Sequence, residues 1–75
     1  LRIAEGVFES SIEIKLRNRK DGDVTVTVIE PVPGEWMVLK TSHDFRKTDA
    51  NTLEFDIKVP KKKETVLNYR VRVIL

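Results

Sequence analysis

No cysteine occurs in the 75 residues, so neither a disulfide framework nor a thiolate metal site is open to this chain. That absence is neutral about compartment. There is one histidine, which leaves little material for an imidazole metal set or a conventional acid–base pair. One Trp, one Tyr and three Phe are the only aromatics, so an aromatic-interleaved nucleic-acid surface has few parts to draw on. Neither sign of charge dominates: 14 Lys plus Arg against 12 Asp plus Glu leave +2, which steers a charged partner weakly. No apolar run approaches the roughly 18 residues of a membrane span, and no signal peptide is visible. The chain opens on Leu1 without Met and stops at Leu75 inside an apolar strand, which reads as one domain cut from a longer protein.

What the sequence does carry is a period of two. Phe8, Ile12, Ile14 and Leu16 share one parity; so do Val24, Val26 and Val28, then Leu53, Phe55, Ile57 and Val59, then Leu67, Tyr69, Val71 and Val73. Alternation puts these side chains on one face of a pleated strand and the intervening polar ones on the other. The fold class is therefore all-β, with one buried face per strand. The pattern predicts strands over residues 7–18, 24–30, 35–41, 53–59 and 65–74. Turn signals at fairly regular intervals point to a small antiparallel β-sandwich, immunoglobulin- or fibronectin-III-like, of roughly five to seven strands. The 40% of hydrophobic residues suffice for a thin core without a metal.

The connections are legible from turn chemistry. Asp21-Gly22 predicts a tight turn in which Gly supplies positive φ. Pro31 and Pro33-Gly34 end the second strand, since proline cannot donate to a ladder, and so rigid a connection suits a passage between sheets. Residues 42–52 read as the longest irregular stretch, closed by a tight turn at Asp49-Ala50-Asn51. Lys61-Lys62-Lys63 falls where a hairpin tip belongs. In the third strand the alternation weakens, because Trp36, Met37, Val38 and Leu39 make both faces apolar. Such a strand is either central and covered on both sides or part of a contact with a neighbouring domain or partner.

No arrangement of residues announces catalysis. His43-Asp44 with Asp49 nearby could bind a metal or move a proton, but the spacing matches no metal loop and no Ser or Cys has an activating partner. The two aspartates suit local loop hydrogen bonds better, and we expect no enzyme activity and no cofactor. Trp36 could stack a sugar or a base, yet it is in phase with Val38 and suits the core better. Tyr69 suits a structural role in which its hydroxyl bonds a nearby backbone group. Lys61, Lys62 and Lys63, with Arg70 and Arg72 projecting from the last strand, could grip phosphates. Glu64 and the outward Glu9 and Glu13 interrupt them, and lysines at sheet margins also suppress edge pairing, so no specific nucleic-acid binding is expected.

The stretch Pro33-Gly34-Glu35-Trp36, with Val38-Leu39, Ser42-His43, Lys47, Asp49-Ala50, Thr52, Phe55 and Val59-Pro60, resembles the C-terminal module of a bacterial protein family known only as a domain of unknown function. Glu64-Thr65, the closing Tyr69-Arg70-Val71-Arg72-Val73, and Asn18-Arg19-Lys20-Asp21 carry the same resemblance, which covers most of the chain. It implies an immunoglobulin-like sandwich behind a coiled-coil or mixed N-terminal region, and it assigns no catalytic residue. The sequence departs from the family pattern at Asp44, where proline is common, at Phe45, where tyrosine is common, and at Lys61-Lys62-Lys63, which replaces a glycine-rich turn. A weaker similarity, around Gly34-Glu35-Trp36 and the late Lys-Glu-Thr strand, links the chain to immunoglobulin-like modules of secreted bacterial glycoside-processing enzymes. Both imply an extracytoplasmic or cell-envelope setting.

These readings converge on a structural or protein-interaction module whose partners are other domains of its parent or a protein strand added at a sheet edge. Met37, Leu39, His43, Asp44 and Phe45 form the expected interaction surface, with residues 42–48 and 31–35 as its loops. The alternative is a carbohydrate-binding accessory module that uses Trp36 or Phe45.

Overall fold

The computed structural model of the chain describes residues 2–75, with the side chain of Ile3 left aside. The described residues form seven strands: β1 (Arg2–Ala4), β2 (Val7–Arg17), β3 (Val24–Pro31), β4 (Glu35–Thr41), β5 (Arg46–Asp49), β6 (Thr52–Val59) and β7 (Glu64–Ile74). Among the described residues there is no helix. Every strand pairing is antiparallel. One sheet has the order β1-β2-β7-β4 and the other β3-β6-β5.

The alternation decides which face of each sheet is buried. In β6 the residues Leu53, Phe55, Ile57 and Val59 are 0–1% exposed, and in β7 Leu67, Tyr69 and Val71 are 0–4% exposed. These two strands are the centres of their sheets, and their inward faces meet: the Phe55 and Tyr69 rings lie 5.0 Å apart across the core, in the range of a favourable tilted pair. Ile12, Ile14, Leu16, Val24, Val26, Val28, Trp36, Val38 and Val73 pack around this centre from the flanking strands. The molecule is long and thin, 48 × 23 × 14 Å.

Strands β2, β3, β4, β6 and β7 follow the sequence pattern closely. Two were missed. β1 lies in the opening segment, and β5 falls within the stretch expected to be irregular. All four residues of β5 are exposed, so no burial pattern marks it. The expectation that the third predicted strand might be central is overturned: β4 is an edge, and β7 has neighbours on both sides. Its apolar double face is an inward pair, Trp36 and Val38, and an exposed outward pair, Met37 and Leu39, after which a bulge follows. Val38 pairs with Val71 and Lys40 with Arg70, so Leu39 is an extra residue that resets the phase before Thr41 meets Tyr69.

The connections bring further corrections. Only β1–β2 and β5–β6 join strands of the same sheet; β2–β3, β3–β4, β4–β5 and β6–β7 all pass from one sheet to the other. The lysine triplet is therefore not a hairpin tip but part of a crossing, in which Lys62 adopts φ +58° and Lys63 N–H donates to Pro60 O. Gly22 does not use positive φ; only Gly6 and Gly34 do. The β2–β3 crossing is instead organised by Asn18, which is 4% exposed. Its Nδ2 donates to Gly22 O (2.8 Å) and Val59 O (3.1 Å), and its Oδ1 accepts Lys20 N–H (2.9 Å). The rigid Pro33-Gly34 connection does pass between sheets as expected. Gly34 is required there, because its φ is +70° and a Cβ would stand 2.5 Å from Ile74 O. Pro31 still occupies the ladder, opposite Thr52, which an edge strand tolerates.

Candidate interaction surface

The outer face of the larger sheet is assembled from the polar phases of β2 and β7. Register sets Glu9 opposite Arg72 and Ser11 opposite Arg70. The Glu9 carboxylate lies between the two guanidiniums. Its Oε1 accepts Arg70 Nε (3.0 Å) and Nη2 (2.7 Å), and its Oε2 accepts Arg72 Nε (3.0 Å) and Nη2 (2.6 Å). Arg70 also donates to Ser11 Oγ through Nη1 at 2.7 Å. These charge-assisted forks hold the Glu9 carboxyl below its ordinary pKa, Arg72 contributing most and Arg70 next. The side chain of Glu9 is only 9% exposed while those of Arg70 and Arg72 are 37% and 41% exposed, so the two cations roof the anion.

Beside this cluster runs the free edge of β4. Met37 pairs with Arg72, and Leu39 projects from the bulge before Lys40. They are 55% and 40% exposed and lie side by side on the edge strand. An open groove of about 570 Å³ crosses this face between Ser11 and Glu13 of β2, Asn68 and Arg70 of β7, and Lys40 and Ser42.

His43, Asp44 and Phe45, the other members of the expected surface, lie beyond the end of β4 in the crossing to β5. His43 is bound into a local turn: its carbonyl accepts Thr41 Oγ1 at 2.7 Å and its Nδ1 lies 2.7 Å from Ser42 Oγ. Asp44 is exposed and Phe45 is 43% exposed. The structure thus splits the expected surface into a strand-edge pair and a loop group. Asp49, grouped with His43-Asp44 in the sequence, accepts Asn51 N–H at 2.8 Å and closes the β5–β6 turn as expected. That bond and one from Thr52 hold its carboxyl below the ordinary value.

Trp36 is neither a buried core centre nor a free platform. It is half-buried on the inward side of β4, packed against the core. Its Nε1–H donates to Ala50 O at 2.9 Å, and the Lys47 ammonium stands 5.0 Å from the ring centre. Lys47 reaches it because β5 turns that side chain inward, opposite Leu53. Trp36 thereby ties the edge of one sheet to the edge of the other.

The lysine triplet and the Arg70–Arg72 pair are not brought together; Lys62 and Lys63 instead neighbour Arg17 and Arg19 around a shallow depression. Arg70 and Arg72 are spent on Glu9. Lys62 donates to Arg19 O and pairs with Asp21 at 3.3 Å, and Arg17 pairs with Glu64 at 3.2 Å. Arg70 lies six positions beyond Glu64 along β7, about 20 Å at strand spacing. On the outer face of the smaller sheet, Arg46 pairs with Asp56 (2.6 Å) and Glu54 (3.1 Å). Arg46 and then Thr27 hold the Asp56 carboxyl below its usual range. Tyr69 is buried beside Phe55 in the core. Burial first, and the Glu30 carboxylate second, push its pKa up to about 12.

Comparison of the chain with protein-family models, curated proteins and solved structures gives no match.

Proposed function

We propose that the chain is a non-catalytic β-sandwich of the immunoglobulin or fibronectin-III type that serves as a structural or protein-interaction module in a larger bacterial cell-envelope protein. Two facing antiparallel sheets with a shared core support the sandwich reading. The envelope setting rests on the family resemblance of residues 33–73.

The observation that carries the interaction reading is the exposed Met37–Leu39 pair on the unpaired edge of β4. A partner strand laid along this edge would satisfy its free backbone groups and cover both side chains. Lys40 and the roofing Arg72 share the outer face with Met37 and Leu39, so the partner segment is extended and carries apolar and acidic side chains together on that one face. A photo-crosslinking residue placed at position 37 or 39 of the parent protein in its own cell tests this. We expect protein adducts at both positions and none at position 58, on the outer face of the smaller sheet. Equal labelling at position 58, or none at 37 and 39, refutes the reading.

The carbohydrate alternative draws support from the exposed ring of Phe45 alone. Trp36 serves it poorly, because its N–H is spent on Ala50 O and Lys47 covers the ring.

A further inference from the structure

The four sheet edges are not alike. β1 is three residues long and its register breaks between Arg2 and Ala4. β4 is interrupted by the Leu39 bulge and carries Lys40. β5 has four residues, a register break after Lys47 and two cations. Short length, bulges and lysines are the usual devices that keep an edge from pairing with another chain. β3 has none of these three, and its one protective residue, Pro31, stands at its far end. It runs eight residues, and its pairing to β6 is unbroken from Val24↔Val59 to Pro31↔Thr52. No charge occurs between Val24 and Ile29. Its inward valines stay only half-buried, while the residues they pair with on β6, Val59, Ile57 and Phe55, are 1%, 0% and 0% exposed. The β3 side of the core is incompletely closed, and Ile29 is 61% exposed on the outer face.

The sequence of this edge identifies what closes it. Val24-Thr25-Val26-Thr27-Val28 reads the same in both directions about Val26. A two-fold axis through Val26 runs two such strands antiparallel and sets like against like. Val24 then faces Val28 of the partner subunit, Thr25 faces Thr27 of the partner subunit, and Val26 faces its own equivalent. Even-numbered residues point inward in both copies, so valines meet on the core side and threonines on the outer side, both favourable cross-strand pairs. Thr27 Oγ1 already donates to Asp56 Oδ1 at 2.9 Å, which leaves its lone pairs to accept a threonine hydroxyl from across the axis. No like charges are opposed: Glu30 faces Gly22 of the partner subunit, and Asp23 faces Ile29 of the partner subunit. Sliding the pairing by two residues would set Val24 against Glu30, and sliding by one would turn valines against threonines.

We propose that two copies of this chain associate through β3, antiparallel about a two-fold axis at Val26, fusing their smaller sheets into one continuous six-stranded sheet. The occupant of the β3 edge is a second copy because the Val24–Val28 segment is complementary to itself about Val26. The contact is independent of the β4 edge, so each can fail without the other.

Sedimentation velocity over a concentration series tests the proposal. The wild-type chain is expected to pass from monomer to dimer as concentration rises. T25K/T27K opposes lysines twice across the axis and is expected to weaken the dimer about tenfold, since directly opposed like charges destabilise a strand pair. T25E/T27K sets Glu against Lys at the same two places, and these residues also face Lys58 and Asp56 within the chain; this variant is expected to dimerise at least as well as wild type. Hydrogen exchange on the wild-type chain gives a readout that needs no variant: protection of the amides of residues 24–29 is expected to rise with concentration. A wild-type chain that stays monomeric throughout overturns the proposal. So does a dimer that T25K/T27K leaves unchanged, or one whose added protection lies outside β3.

Discussion

Glu9 and Tyr69 show how far a residue's surroundings depart from what its place in the sequence implies. Alternation puts Glu9 on the outer, solvated phase of β2, and it is there, yet the pairing of β2 with β7 roofs it with two arginines. The outward phase of Glu9, Arg70 and Arg72 was legible; their meeting was not, because no local signal says that β2 pairs with β7. The carboxyl titrates below its ordinary 4.5, so the stability it contributes is complete above that pH and is lost as pH falls through the lower folded value. Asp49 and Asp56, also held below their ordinary range, add to the same acid loss. Thermal melts across acid pH are expected to show Glu9→Gln less stable than wild type at neutral pH, with a smaller drop on acidification. Parallel pH profiles for the two proteins would contradict this. Tyr69 shifts the other way. Its neutral form is favoured, so its contribution is complete below the ordinary 10.0 and fades as pH climbs toward about 12. It is the only tyrosine in the chain, which makes a phenolate absorbance titration unambiguous. The folded protein is expected to titrate well above the same chain in denaturant, and coincident curves would contradict the buried placement.

Among the strands, those with one buried face were legible because burial enforces a period of two. β5 was not, since a strand exposed at every position has no periodicity to read; it exists because Arg46 and Lys47 pair with Glu54 and Leu53 of β6. The apolar double face of β4 was legible as an anomaly and misread as possible centrality. The bulge at Leu39 arises from pairing with β7, which local sequence does not encode. Asn18 looked like the end of a strand, and its carbonyl-bonding role depends on the approach of Val59, 41 positions away. Trp36 has the same character: its phase placed it inward, but its partner, the Ala50 carbonyl, belongs to the opposite sheet. Because the indole is half-buried, Trp36→Ala is expected to cost about 2–3 kcal/mol in urea melts, below the 3–5 typical of a fully enclosed aromatic. Trp36→Phe retains the packing and loses the N–H bond, and is expected to cost about 1 kcal/mol. A Trp36→Ala cost near zero would show that the sheets hold together without this tie.

Over the whole molecule, charge is interleaved rather than segregated. The lysines of the β6–β7 crossing lie at one end and the Glu9-bound arginines are displaced along β7 from it. Retention on heparin is therefore expected to be weak and to disappear when Lys61, Lys62 and Lys63 are all changed to Ala. Arg70→Ala is expected to leave retention unchanged while lowering the melting temperature, because it strips a donor from Glu9. Retention that depends on Arg70 would instead indicate a continuous basic face. The four crossings between sheets also bear on how the chain reaches this structure. Only two turns join neighbours in a sheet, so the other three ladders must each close a long loop before they gain anything: Ser11 awaits Arg70, 59 positions on, and Thr27 awaits Asp56, 29 positions on. Such a topology folds in roughly milliseconds to seconds rather than microseconds. Only the β5–β6 hairpin, with the short β1–β2 pair, can form early. A nascent chain would hold β3 and β4 without any in-sheet partner until β6 and β7 have been synthesised, which makes the late strands the gatekeepers of productive folding.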